Sequence, residues 1–131
     1  MKWQFSGDAP IYSQLVVQIK VGIVSGAFPS GERLPSVRDL ATEAGVNPNT
    51  MQRALTELER DGLVYSQRTA GRFVTEDQEM IDTAKRGLAE SHIRAFLEAM
   101  RGLGYQKKEI LDLLEQAAIR EEGENHAYLG M

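Results

Sequence analysis

In the stretch GVNPNTMQRALTELER, residues 45–60, the side chains Asn49, Gln52, Arg53 and Thr56 recur at three- and four-residue spacing. On a helix turning by roughly 100° per residue they fall on one side, with Thr50 on its shoulder, while Met51, Ala54, Leu55 and Leu58 fall on the other. The polar side therefore collects two bidentate amides, a guanidinium and a hydroxyl. These groups match the edges of nucleobases: arginine pairs with guanine O6 and N7, asparagine or glutamine with adenine N6 and N7, and threonine with thymine or phosphate. A solvated helix with no partner could carry the same residues, so the surrounding elements must decide.

Those elements are legible. Asn47 is a helix N-cap followed by Pro48 at the first helical position, where the missing N–H costs nothing; the helix is predicted to reach about Asp61, before Gly62. Upstream, Ser36 caps a shorter helix, VRDLATEA. Asp39 is placed to close a capping-box-like arrangement, Leu40 to staple towards Pro35, and Gly45 to end the helix. Only GVN separates the two helices, which is the helix-turn-helix pattern. A preceding helix over residues 10–25 has Pro10 in its first turn, an apolar stripe of Ile11, Leu15, Ile19 and Ile23, and Gly26 to end it. FPSGERLPS holds turn residues and a short extended piece around residues 32–34. After the third helix the period changes, and LVYSQ and RFVT read as strands around RTAG. Three helices and then a hairpin is the order of a winged helix-turn-helix, the hairpin being the wing.

Cationic groups lie where such a fold meets a phosphate backbone. Arg38 is in the first turn of the second helix, Arg68 and Arg72 flank the wing turn, and the amides around Ser36 could add an anion site. The net charge of -4 opposes this reading only until it is divided. Residues 1–75 hold eight Lys/Arg against seven Asp/Glu, whereas residues 76–131 hold seven against twelve. The acidity belongs to the second half, which leaves a basic patch possible in the first.

A hydrophobic content of 42% and a charged content of 26% fit a folded chain. No apolar run is long enough to span a bilayer and MKWQFSGDAP lacks the layout of a signal peptide, so the expected location is cytoplasmic, with no membrane partner. Without cysteine there is no thiolate chemistry or disulfide, and His92 and His126 lack ligand-spaced neighbours. Both read as rim or exposed histidines. We expect no metal and no cofactor. With no nucleophile beside a base, no phosphate-cradling glycine loop and no acid pair in a cleft, the chain does not read as an enzyme.

Beyond Thr75, Ile81, Ala84, Leu88, Ala95, Ala99 and Leu103 recur at helical spacing up to Gly104, and QKKEILDLLEQAAI forms a second helix. The tail from Arg120 is polar and expected to fray. Trp3 and Phe5 are expected to cover the base of the first domain. Two such helices are too few to enclose a small-molecule pocket of several hundred Å3. Their apolar arc, including Leu88, Phe96, Met100, Leu111 and Leu114, is wider than one partner helix needs, which argues for a second copy of the chain. The expected organisation is mainly α with a small β-hairpin wing: a DNA-binding domain over residues 1–75 and a two-helix dimerisation segment with a polar tail over residues 76–131.

The combination of LPSVRDLA, GVNPNTMQRAL and DGLVYSQ, within residues 10–74, resembles the winged helix-turn-helix of GntR-family bacterial transcription regulators. The short two-helix remainder is similar to the YtrA subfamily, which lacks the large effector domains of its relatives. The resemblance implies DNA contacts by Arg38, by Asn49, Thr50 and Gln52, and by Arg68 and Thr69. Pro48 stands where some relatives place another contact, and Thr69 and Arg72 where a glycine and a threonine are common. The implied function is a homodimeric repressor reading a palindromic operator in double-stranded DNA, controlling its own operon and an ABC transporter. The sequence names no small-molecule effector. An alternative from another class is a winged-helix protein-interaction adapter that docks through its acidic helices and binds no DNA.

Overall fold

The computed structural model describes residues 1–129, with residues 124–129 described by their backbone alone, so that the side chain of His126 falls outside it. Five helices and one hairpin follow in the order α1 (Ile11–Ser25), α2 (Val37–Ala44), α3 (Pro48–Arg60), β1 (Val64–Gln67), β2 (Gly71–Val74), α4 (Gln78–Gly102) and α5 (Lys107–Leu129). The chain divides into two compact units, Met1–Leu88 and Ala89–Met131, with the division falling inside α4.

The first unit is built on one apolar cluster. α1 contributes Leu15, Val16, Ile19 and Ile23, and α3 contributes Met51, Ala54, Leu55 and Leu58, all buried. Leu40 and Ala41 from α2 and Leu63, Val64 and Val74 at the hairpin complete it. Burying a leucine-sized side chain stabilises a fold by about 1.5–3 kcal/mol, so this cluster dominates the energetics. Trp3 and Phe5 pack against it as expected, and the Trp3 indole N–H donates to Glu43 Oε1 at 3.1 Å. Two details of α1 differ from expectation. Pro10 stands before the helix as its N-cap residue, with ψ 143, and Ile11 is 38% exposed instead of continuing the stripe. The first bond of the helix runs from Gln14 N–H to Pro10 O at 3.3 Å, so Pro10 supplies the acceptor that opens α1 without itself taking helical geometry.

The expected extended piece joins the hairpin. β1 and β2 pair antiparallel from Val64↔Val74 to Gln67↔Gly71, and Arg33 bridges to Phe73 on the outer edge. Leu34 N–H donates to Arg72 O at 2.8 Å and Val74 N–H to Glu32 O at 3.0 Å. The first unit also runs past Thr75 to Leu88, because Ile81 is buried in its core and Met80 and Ala84 pack on that core.

In the second unit Gly104 turns the chain between α4 and α5 with φ 96, a value that favours glycine, and Gln106 N–H is capped by Glu109 Oε1 at 3.1 Å. Among the described residues of this unit only Ile110 is buried. Phe96 and Met100 of α4 and Leu113, Leu114 and Ala117 of α5 line a groove of about 330 Å3, open to solvent. The two helices frame this recess without enclosing it. The polar stretch from Arg120, expected to fray, continues α5 through Leu129, consistent with the good helix propensity of its glutamates.

Candidate nucleic-acid interface

The turn between α2 and α3 is set by local chemistry. Gly45 adopts φ 72, and its N–H donates to Thr42 O while Val46 N–H donates to Ala41 O at 3.0 Å. A side chain at that φ would be strained, which is why glycine ends α2 and redirects the chain. Asn47 Oδ1 then accepts from Asn49 N–H at 2.8 Å, and Pro48 takes the first helical position. The expected cap at Ser36 forms as well, its Oγ accepting from Asp39 N–H at 3.1 Å. That hydroxyl is thereby committed to the helix. The role left for Ser36 at an anion site is to start α2, whose first-turn amides have no acceptor within the helix.

On α3 the division of faces follows the sequence periodicity. Asn49, Gln52, Arg53 and Thr56 are exposed and Thr50 is half-buried, while Met51, Ala54, Leu55 and Leu58 are buried beneath them. The side chains of Asn49 and Gln52 make no hydrogen bond among the described residues, so their donors and acceptors are available to a partner. Thr56 Oγ1 is turned back onto Gln52 O at 2.9 Å. Arg38 is exposed on the first turn of α2, and Arg68 and Thr69 are exposed in the turn between β1 and β2. Gly71, with φ 102, closes that turn. A Cβ added there would lie 2.9 Å from Arg33 Nε, so the Arg33 side chain covers this corner of the wing.

Two of the expected contact residues have partners within the protein. Arg72 Nε donates to Glu59 Oε1 at 2.6 Å, with the two side chains 19% and 29% exposed. Ser66 Oγ donates to the same carboxylate oxygen. Burial alone would push the Glu59 carboxyl up, but the hydrogen bonds from Ser66 and Arg72 and the Arg72 charge outweigh it and hold the group below its usual range. Arg72 is thus a tie between β2 and the end of α3, and Ser66 ties β1 to the same point. Arg53 is the second case: its guanidinium carbon lies 3.6 Å from the centroid of the Tyr12 ring on α1.

Glu59, Ser66, Arg33 and Tyr12 were not singled out by sequence. Each gains its meaning from a neighbour that only the hairpin register or the α1–α3 packing supplies. A faint signal for Glu59 was available, since it is an acid near the end of α3, shortly before a basic wing, where a free carboxylate would repel phosphate. The exposed apolar residues of the second unit include Phe96 at 37%, Leu111 at 54% and Leu114 at 48%, whereas Met100 is half-buried, as is Leu88, the last residue of the first unit.

Residues 11–74 match the family model described as bacterial regulatory proteins, gntR family. The chain is 37% identical over 96 residues to the HTH-type transcriptional repressor YtrA of Bacillus subtilis, covering 73% of this chain and 69% of that one. A GntR family transcriptional regulator from Listeria monocytogenes has a similar structure, with TM-score 0.78 and 38% identity over 86% of this chain and 98% of the other. The structure of AraR(DBD) in complex with operator ORX1 is also similar, with TM-score 0.52 and 28% identity over 57% and 96% of the two chains.

Proposed function

The chain belongs to the GntR family of bacterial regulatory proteins, and on that premise we propose that it is a homodimeric repressor that reads a palindromic operator through α3 and the wing. The observation that carries the proposal is the exposed face of α3. Asn49 and Gln52 keep every side-chain donor and acceptor unspent on the first two turns, the part of a recognition helix that meets base edges. Arg38, Arg68 and Thr69 flank that face and suit phosphate or minor-groove contact. The operator complex of AraR supports DNA as the ligand, and the likeness to the YtrA repressor supports repression. The resemblance of the sequence to the YtrA subfamily extends the proposal to control of the protein's own operon and an ABC transporter within it, and we place that action in the cytoplasm. Among the described residues no helix is long and apolar enough to cross a membrane.

Dimerisation is supported by the second unit, which leaves Ile93, Phe96, Leu111, Leu114 and Ile119 exposed and buries only Ile110 among its described residues. A pair of helices with so little core of its own gains by packing against a second copy. A twofold dimer also reads two half-sites, which multiplies the limited specificity of one recognition helix.

The test is selection of bound duplexes from a random pool, followed by titration of the selected and a scrambled duplex at two salt concentrations. The expected result is a palindromic sequence bound about 10^3-fold or more tightly than random DNA, with affinity falling steeply with salt. Equal affinity for the two duplexes would overturn the proposal.

A further inference from the structure

Arg53 is the member of the reading face that a residue outside the helix-turn-helix holds in place. Its guanidinium stacks on Tyr12, the second residue of α1, at 3.6 Å from the ring centroid. Tyr12 is half-buried and Arg53 exposed, so the ring is the fixed partner and the cation the presented one. Arg53 forms no ion pair among the described residues. A carboxylate is nonetheless at hand: Glu57 lies four residues on, at the spacing that forms helical ion pairs, and lines the same recess as Tyr12, Arg53 and Arg60.

The choice between ring and carboxylate matters chemically. An ion pair with Glu57 would spend N–H donors of the guanidinium and neutralise its charge. A stack on an aromatic face uses only the π surface and leaves all five in-plane donors, and the full positive charge, for another ligand. We propose that Tyr12 is a positioning residue of the DNA site: it keeps Arg53 off Glu57 and in a single arrangement beside Gln52, ready to donate to operator DNA. This rests on the DNA-reading proposal above and extends it to α1, outside the set of contacts that the family resemblance implies.

The test is a double-mutant cycle on the full chain, titrated with the duplex selected above, together with thermal melts of each variant. Tyr12→Phe keeps the ring and is expected to bind like wild type. Tyr12→Leu is expected to bind about two- to fivefold more weakly, the range of an exposed cation–π contact. In an Arg53→Ala background, Tyr12→Leu is expected to cause no further loss. A Tyr12→Leu effect of the same size in both backgrounds, or no effect at all, would overturn the role of Tyr12. Should Tyr12→Leu fail to fold, the Arg53 Nε–H resonance decides: stacking shifts it upfield in wild type and Tyr12→Phe, and an unshifted resonance overturns the stack. Failure of the two proposals is distinguishable. A wild-type chain without operator preference overturns both, whereas operator binding with an additive cycle overturns this one alone.

Discussion

Replacing Glu59 with alanine removes the single carboxylate that receives both wing strands at the end of α3. The bond from Arg72 is short, 2.6 Å, and charge-assisted, a class that contributes about 1.5–3 kcal/mol when well shielded. Here the side chains are 19% and 29% exposed, so solvent screens the pair, and exposed pairs contribute only about 0–1 kcal/mol. The expected loss lies between, about 1–2 kcal/mol for Glu59→Ala and about 1 kcal/mol for Glu59→Gln, which keeps an acceptor but loses the charge. For a unit of this size the alanine variant should melt roughly 4–15 °C lower. The pH dependence follows from the lowered pKa of Glu59. Stability from a carboxylate of lowered pKa is fully present above the unfolded value and is lost as pH falls through the folded one. The gap between wild type and Glu59→Gln should therefore stay constant from neutral pH down to about 5 and close under stronger acid. Urea unfolding followed by the fluorescence of Trp3, the only tryptophan, measures it. A gap below about 0.3 kcal/mol at neutral pH, or one unchanged in acid, would refute the inference that the charge on Glu59 fastens the wing.

Gln52→Ala should weaken operator binding by about 1–3 kcal/mol and relax preference at one base pair per half-site, with the melt and the affinity for random duplex little changed. Arg38→Ala should weaken selected and random duplexes alike and lower the salt dependence by about one counterion, as a gel-shift series in salt would read. Leu114→Asp, in the exposed apolar face of the second unit, should sediment as a monomer at micromolar concentration while the first unit keeps its melting transition. A variant that stays dimeric would move the interface elsewhere.

The parts of the fold that sequence made legible are those fixed within a few residues. Ser36 and Asn47 announce the starts of α2 and α3 because a cap bonds to an amide two or three positions on. Gly45 announces the turn because its φ excludes other residues at little cost. The reading face was legible for the same reason, since helical periodicity alone sorts Asn49 and Gln52 from Met51 and Leu55. The bond of Arg72 to Glu59 was not legible because its partner lies on α3, and only the pairing of Ser66 with Arg72 across the hairpin brings both onto that carboxylate. The stack of Arg53 on Tyr12 depends on how α1 crosses α3, which no local pattern encodes. The continuation of the first unit to Leu88 was hidden because one apolar stripe along α4 gives no sign of where its packing partner changes.

The side chains of Asn49 and Gln52 contribute nothing to the bonds that hold α3 in place: the cap comes from Asn47, the core from Met51 and Leu55, and the wing tie from Glu59. Heredity can therefore alter them without loss of the folded state. After a gene duplication, one copy could drift at these two positions and acquire a different set of target genes while its ancestral scaffold passed on intact. Tyr12 sets a boundary to that freedom, because a change at Arg53 would leave an aromatic ring beside the reading face with nothing to hold.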